Sequence, residues 1–125
     1  MTNYPIADFL TRLNNARMAK IKEVSLTSTK YIKAAATALK KTGYLEEVNE
    51  KQGVLTVRLT YKKKEPLMLG LKIISRPGLR IYKGADELAK IKSPSIFLVS
   101  SPKGVISSRE AIKARLGGEV IAEIW

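Results

Sequence analysis

IFLVSSPKGVISSRE, residues 96–110, is the stretch on which the reading of this chain turns. Ile96, Phe97, Leu98 and Val99 make a short continuous apolar run, the pattern of a strand covered on both faces. The loop Ser100, Ser101, Pro102, Lys103, Gly104 then brings two hydroxyls, a cation and a flexible glycine to one surface spot. Val105 and Ile106 resume the apolar pattern. Ser107 and Glu110 form an S-x-x-E capping box ahead of a helix predicted to reach about Leu116, where Gly117 and Gly118 stop it. A buried strand ending in hydroxyls and lysine suits a polyanion better than it suits covalent chemistry.

The composition agrees. The 125 residues carry 23 Lys plus Arg against 11 Asp plus Glu, a formal charge of +12. The basic residues are spread over both halves and not gathered in a tail. A field of that sign concentrates phosphate-bearing partners, so RNA or DNA is the first partner to consider and an anionic membrane surface a weaker one. Cysteine and histidine are both absent, which removes disulfides, thiolate nucleophiles, the usual zinc ligands and the side chain best suited to proton transfer near neutral pH. The adjacent acids Glu46 and Glu47, or Asp86 and Glu87, make no acid and base pair, and no phosphate-binding glycine motif is present. Ser107 reads as a helix cap and not as a nucleophile. No catalytic residue, metal site or cofactor is expected. No apolar run approaches the ~18 residues that span a bilayer, and the first residues lack a basic segment followed by an apolar one. A soluble, unprocessed chain is expected.

Periodicity predicts an α+β fold of two small lobes, residues 1–65 and 66–125. In the first lobe Ile6, Phe9, Leu10, Leu13 and Ala16 or Arg17 follow one helical face, giving a helix over Pro5–Met18. Val24 and Leu26 alternate in a strand over Glu23–Thr27, and Ser28 and Thr29 can cap a helix over Lys30–Lys41. Ile32, Ala35, Ala36 and Leu39 share one face of that helix, with Lys30, Lys33, Thr37, Lys40 and Lys41 opposite and Thr42 and Gly43 ending it. Strands over residues 44–49 and 54–61, around a turn at 51–53, complete the lobe. Lys62, Lys63, Lys64, Glu65, Pro66 breaks both periodicities and reads as the linker. The second lobe reads as mostly β. Strands at 71–76 and 79–83 flank a turn at Pro77 and Gly78, a short helix covers 85–90, and strands at 96–100 and 119–125 follow.

Two further segments carry candidate contacts. The lysine face of the second helix, with Ser28, Thr29, Lys30 and Lys33 at its start, can track a phosphate backbone, helped by the free N–H groups of the helix N-terminus. In residues 76–83, Tyr82 can stack on an unpaired base while Arg80 and Lys83 hold phosphates.

Four blocks carry a resemblance: YPIADFLTRLNNA at 4–16, STKYIKAAATALKKTGYLEE at 28–47, SRPGLRIYK at 75–83 and SSPKGVISSREAIKARLGGEVI at 100–121. In order and over nearly the whole chain, they resemble the eighth-protein family of the bacterial small ribosomal subunit. The resemblance implies a structural constituent of that cytoplasmic particle, a primary rRNA-binding protein that docks on the central domain of small-subunit rRNA and supports assembly. It implies no cofactor and no membrane. Neighbouring small-subunit proteins, the fifth and twelfth, are implied as partners, together with an rRNA-like site in the operon mRNA. A basic DNA-associated or regulatory protein outside the ribosome is the alternative.

By position, the family's hydroxyl-rich loop falls on Ser100, Ser101, Pro102, Lys103 and Gly104, where its usual form is Ser-Thr-Ser-Lys-Gly. Pro102 has neither hydroxyl nor N–H, so a hydrogen bond from that position is expected to be lost. Gly117, Gly118 and Glu119 match the family's GGE, whose backbone and carboxylate lie beside the same RNA site, and Tyr82 matches the family's tyrosine. Tyr4 stands where the family commonly has Asp, so the usual cap of the first helix is expected to be missing.

Overall fold

The computed structural model describes residues 5–125, so the cap position Tyr4 lies outside the described residues. The chain divides into two compact units that meet in sequence between Gly70 and Leu71.

In the first unit, α1 (Pro5–Met18) buries Ile6, Phe9, Leu10, Leu13 and Ala16, which settles the last apolar position in favour of Ala16. α2 (Lys30–Lys41) buries Ile32, Ala35, Ala36, Ala38 and Leu39, the apolar face its spacing predicts plus one alanine. β1 (Glu23–Thr27), β2 (Leu45–Lys51) and β3 (Val54–Leu59) form an antiparallel sheet in the order β1-β3-β2. Leu55, Val57 and Leu59 of the central strand are buried at period two. β2 and β3 turn through Gln52 and Gly53, both at positive φ, as a two-residue hairpin turn requires to match strand twist.

The Lys62–Pro66 stretch is not a linker. After Leu59 the carbonyl of Thr60 accepts the N–H of Leu67 at 2.8 Å, and the chain folds back on itself as β4 (Tyr61–Lys62) and β5 (Glu65–Pro66). The composition that breaks helix and strand periodicity here encodes a tight turn, and the division between units falls at Gly70 instead of after Glu65.

In the second unit β6 (Leu71–Ile73), β7 (Tyr82–Lys83), β8 (Ile96–Ser101), β9 (Gly104–Ser107) and β10 (Gly118–Ile124) form one antiparallel sheet. β10 pairs with β8 along one edge and with β6 and β7 in succession along the other. α3 (Ala85–Ala89) and α4 (Ser108–Ala114) contribute Leu88 and Ala111 to a core with Val99, Ile106 and Val120, flanked by Ile74, Ile91 and Phe97.

Two expected strands are shorter than their sequence patterns. The register of β10 slips between Val120 and Ala122, and Ile121 is the extra residue. The opposite edge therefore cannot run straight, and Ser75 bridges the break. Its hydroxyl, fully buried, donates to the Val120 carbonyl at 2.7 Å and accepts the N–H of Ile81 at 2.9 Å. β6 and β7 are thus two short pairings joined by a buried hydroxyl, with the predicted Pro77–Gly78 turn between them, Gly78 at φ +87° and Arg76 bridged to Leu79.

The end of α4 also differs from expectation. Arg115, at φ 57° and ψ 42°, supplies the left-handed stop itself. Gly117 and Gly118 serve another purpose. A Cβ on Gly117 would stand 2.5 Å from the Lys83 carbonyl oxygen, and one on Gly118 would run into the Ser100 carbonyl. Both glycines exist for close approach of strands.

Candidate nucleic-acid interface

The second unit places its candidate residues by strand register. Tyr82 pairs with Glu119, Glu119 with Ser100, and Ser100 with Val105, so one row crosses β7, β10, β8 and β9 on a single face. The adjacent row opposes Lys83 to Gly118 and Ser101 to Gly104. Thus Tyr82, Ser100, Ser101, Gly104, Gly118 and Glu119, scattered over 38 positions of sequence, stand on neighbouring strands at one end of the sheet. Sequence spacing alone could not bring Tyr82 there; the antiparallel pairing of β7 with β10 does.

Ser100 and Ser101 are half-buried, while Pro102 and Lys103 stand exposed at the turn. The Ser101 hydroxyl donates to the Gly104 carbonyl at 2.8 Å and accepts the Lys103 N–H at 3.2 Å. It is held by the turn it would serve, with one lone pair left for an incoming donor. Pro102 sets its own φ, and the positive φ of the turn falls on Gly104 at 118°. The Lys103 ammonium lies 3.9 Å from Glu110, a loose and exposed pairing that leaves its charge in solvent.

Tyr82 is 67% exposed, a large ring presented to solvent beside the row. Arg80 donates to the Glu119 carboxylate at 3.0 Å, with the Glu119 side chain only 16% exposed. That pair ties the guanidinium to Glu119, the residue opposite Tyr82 in the sheet register. An exposed ring, an oriented guanidinium, a constrained hydroxyl and glycine-thin backbone together suit an unpaired or irregular nucleotide.

In the first unit the start of α2 gathers the other candidates. Thr29, not Ser28, is the N-cap, its Oγ1 accepting the Ile32 N–H at 3.2 Å. The N–H groups of Lys30 and Tyr31 precede the first intrahelical bond and face outward. Lys30 is exposed, whereas Lys33 donates to Glu50 on β2 at 3.0 Å. Ser28 Oγ is buried with no well-formed hydrogen bond, yet it faces Glu50 closely enough to matter electrostatically. The Ser28 hydroxyl first, and Lys33 second, hold the Glu50 carboxyl below its ordinary value of 4.5. Lys33 is therefore already committed in part to Glu50.

Tyr31, 63% exposed in the first turn of α2 beside Lys30, was not among the predicted contacts. Its signal is in the sequence, because it falls off the apolar face made by Ile32, Ala35, Ala36 and Leu39. Ser75 was missed as well, and nothing in its neighbourhood in sequence marks it.

Comparison with known proteins covers both units. A family model for ribosomal protein S8 matches residues 4–125. Small ribosomal subunit protein uS8 of Nitratidesulfovibrio vulgaris strain DP4 is 40% identical over 126 residues, covering 100% of both chains. The proteins of the same name from Caldanaerobacter subterraneus and Staphylococcus carnosus are 44% and 42% identical over 127 residues, each covering 97% of this chain and 96% of the relative.

Proposed function

Since the chain belongs to the ribosomal protein S8 family, whose members are small-subunit ribosomal proteins and not enzymes, we propose that it docks on the central domain of small-subunit rRNA mainly through the β7, β8–β9 turn and β10 end of its second unit. The carrying observation is the register row that aligns Tyr82, Glu119 and Ser100 beside the locked Ser101–Gly104 turn. Phosphate contacts position a protein on RNA, and base or sugar contacts give the selection. Lys103 and Arg80 serve the first task; Ser100, Ser101, the backbone at Gly104 and Gly118, and the Tyr82 ring serve the second.

The start of α2, with Ser28, Thr29, Lys30 and Lys33, grips backbone as a supporting contact. Similarity over both units to small-subunit proteins favours this reading over the DNA-associated and membrane-surface alternatives. No described helix is long and apolar enough to cross a membrane. The reading extends to the neighbouring fifth and twelfth small-subunit proteins and to an rRNA-like site in the operon mRNA.

Co-sedimentation with small subunits through sucrose gradients in high salt tests it, because generic electrostatic association is released there. The protein is expected to stay with the subunit fraction; its release at high salt would count against specific docking.

A further inference from the structure

The β4–β5 hairpin of the first unit lies outside both candidate contacts, and its tip is cationic. Lys62, Lys63 and Lys64 are all exposed at its tip. The hairpin is fastened to the segment that follows α1: the Tyr61 hydroxyl donates to the Ile21 carbonyl at 3.0 Å, Lys22 Nζ sits 6.0 Å from the Tyr61 ring centroid, and Lys20 pairs with Glu65 at 3.2 Å. These contacts gather Lys20, Lys22, Lys62, Lys63 and Lys64 into one patch. Glu65 is the acid shown within it, and its side chain remains 65% exposed, so its pairing with Lys20 does little to cancel the field.

Three of these lysines also stand where the backbone favours other residues. Lys63 and Lys64 have φ of 53° and 68°, the left-handed pair that a two-residue hairpin turn demands and that Asn-Gly fills best. The β2–β3 hairpin uses the same signs of φ but places Gly53 second. Lys20, at φ 58°, holds the left-handed position that closes α1, where glycine is usual. Each is strained relative to a residue at ease there. Neither turn geometry nor core packing explains lysine at these positions, whereas a partner that uses their charge does.

We propose that the Lys20–Lys22 segment and the Lys62–Lys64 turn form a second RNA-contacting surface, which takes the phosphodiester backbone of a stretch of rRNA separate from that at the start of α2. β1 (Glu23–Thr27) lies between Lys22 and Ser28, and at ~3.3 Å per residue the extended chain from one to the other separates the two surfaces by about 20 Å. That span reaches a different part of the sugar–phosphate chain. The surface has cations and no constrained hydroxyl donor at its tip, so it adds affinity without selecting sequence. The inference rests on the RNA-binding reading above.

The test is Lys63→Asn combined with Lys64→Gly, which removes two charges while giving the turn its preferred residues. Filter-binding titrations against purified small-subunit rRNA, run from about 50 to about 200 mM salt, are expected to show about tenfold weaker binding and a log–log salt slope shallower by about 1.4–1.8. Thermal melting should be unchanged or higher, which excludes unfolding as the cause. Unchanged affinity and slope would overturn the inference. So would unchanged rRNA binding together with loss of the variant from assembled subunits, because the patch would then hold a protein. Wild-type protein that fails to bind the rRNA would overturn the RNA-binding reading and this inference with it, a result distinct from failure of the variant alone.

Discussion

The β4–β5 and β8–β9 hairpins each turn through two residues, and they solve the turn in opposite ways. At Lys63 and Lys64 both φ values are positive and both residues are exposed, while the side-chain hydrogen bond from Lys20 reaches the hairpin at Glu65, beside the turn. At Pro102 and Lys103 the proline fixes the first dihedral, Gly104 takes the positive φ, and the Ser101 hydroxyl laces the turn through Gly104 and Lys103. One hairpin presents charge on a strained but simple turn; the other presents oriented hydrogen-bonding groups on a constrained one. Charge tolerates a mobile carrier, since Coulomb attraction falls slowly with distance. A hydrogen bond to a base or sugar does not, because it weakens steeply with angle.

The largest effect should come from breaking the constrained side. Gly118→Ala drives a Cβ into the Ser100 carbonyl and against Ser101. The β8–β10 pairing must open there, at a cost of about 3 kcal/mol in chemical denaturation. Cognate RNA binding should fall further than the stability loss alone explains, because Ser100 and Glu119 lose their register. A variant with wild-type stability and wild-type binding would show that the close approach is incidental. The smallest effect sharpens the contrast instead. Pro102→Ser restores a hydroxyl and an N–H at the exposed tip, and is expected to tighten cognate RNA binding by about 1 kcal/mol. It should also lower thermal stability by about 0.4–1 kcal/mol, since the unfolded chain regains freedom. Tighter binding to a generic duplex as well would mean that position 102 reads no particular RNA feature.

Much of this was legible in the sequence where local rules governed it. α1, β1 and α2 coincide with their predicted ranges, because each has clean periodicity and α2 adds a cap at Thr29 and a stop at Thr42 and Gly43. The strands around Ser75 did not, because the extra residue at Ile121 and the hydroxyl that compensates for it are facts of long-range pairing. The same holds for Gly117 and Gly118. Next to a helix they read as a stop, yet Arg115 performs that role and the glycines are there for Lys83 and Ser100. Lys62–Pro66 departs from the linker its composition predicts for a different reason: the residues of a tight turn and of a linker overlap in composition, and only the partner strand tells them apart. At the candidate interface the loop from Ser100 to Gly104 was visible from its residue types. Its alignment with Tyr82 was not, since that depends on β7 joining the edge of β10.

The most direct measurement is a gel-shift titration of Ser101→Ala and Lys103→Ala against a central-domain rRNA fragment and against a generic RNA duplex. Ser101→Ala should weaken the cognate fragment by about fivefold, roughly the worth of one hydrogen bond, and leave the duplex nearly untouched, while Lys103→Ala weakens both. Equal weakening of both RNAs by Ser101→Ala would contradict the assignment of selective recognition to the β8–β9 turn.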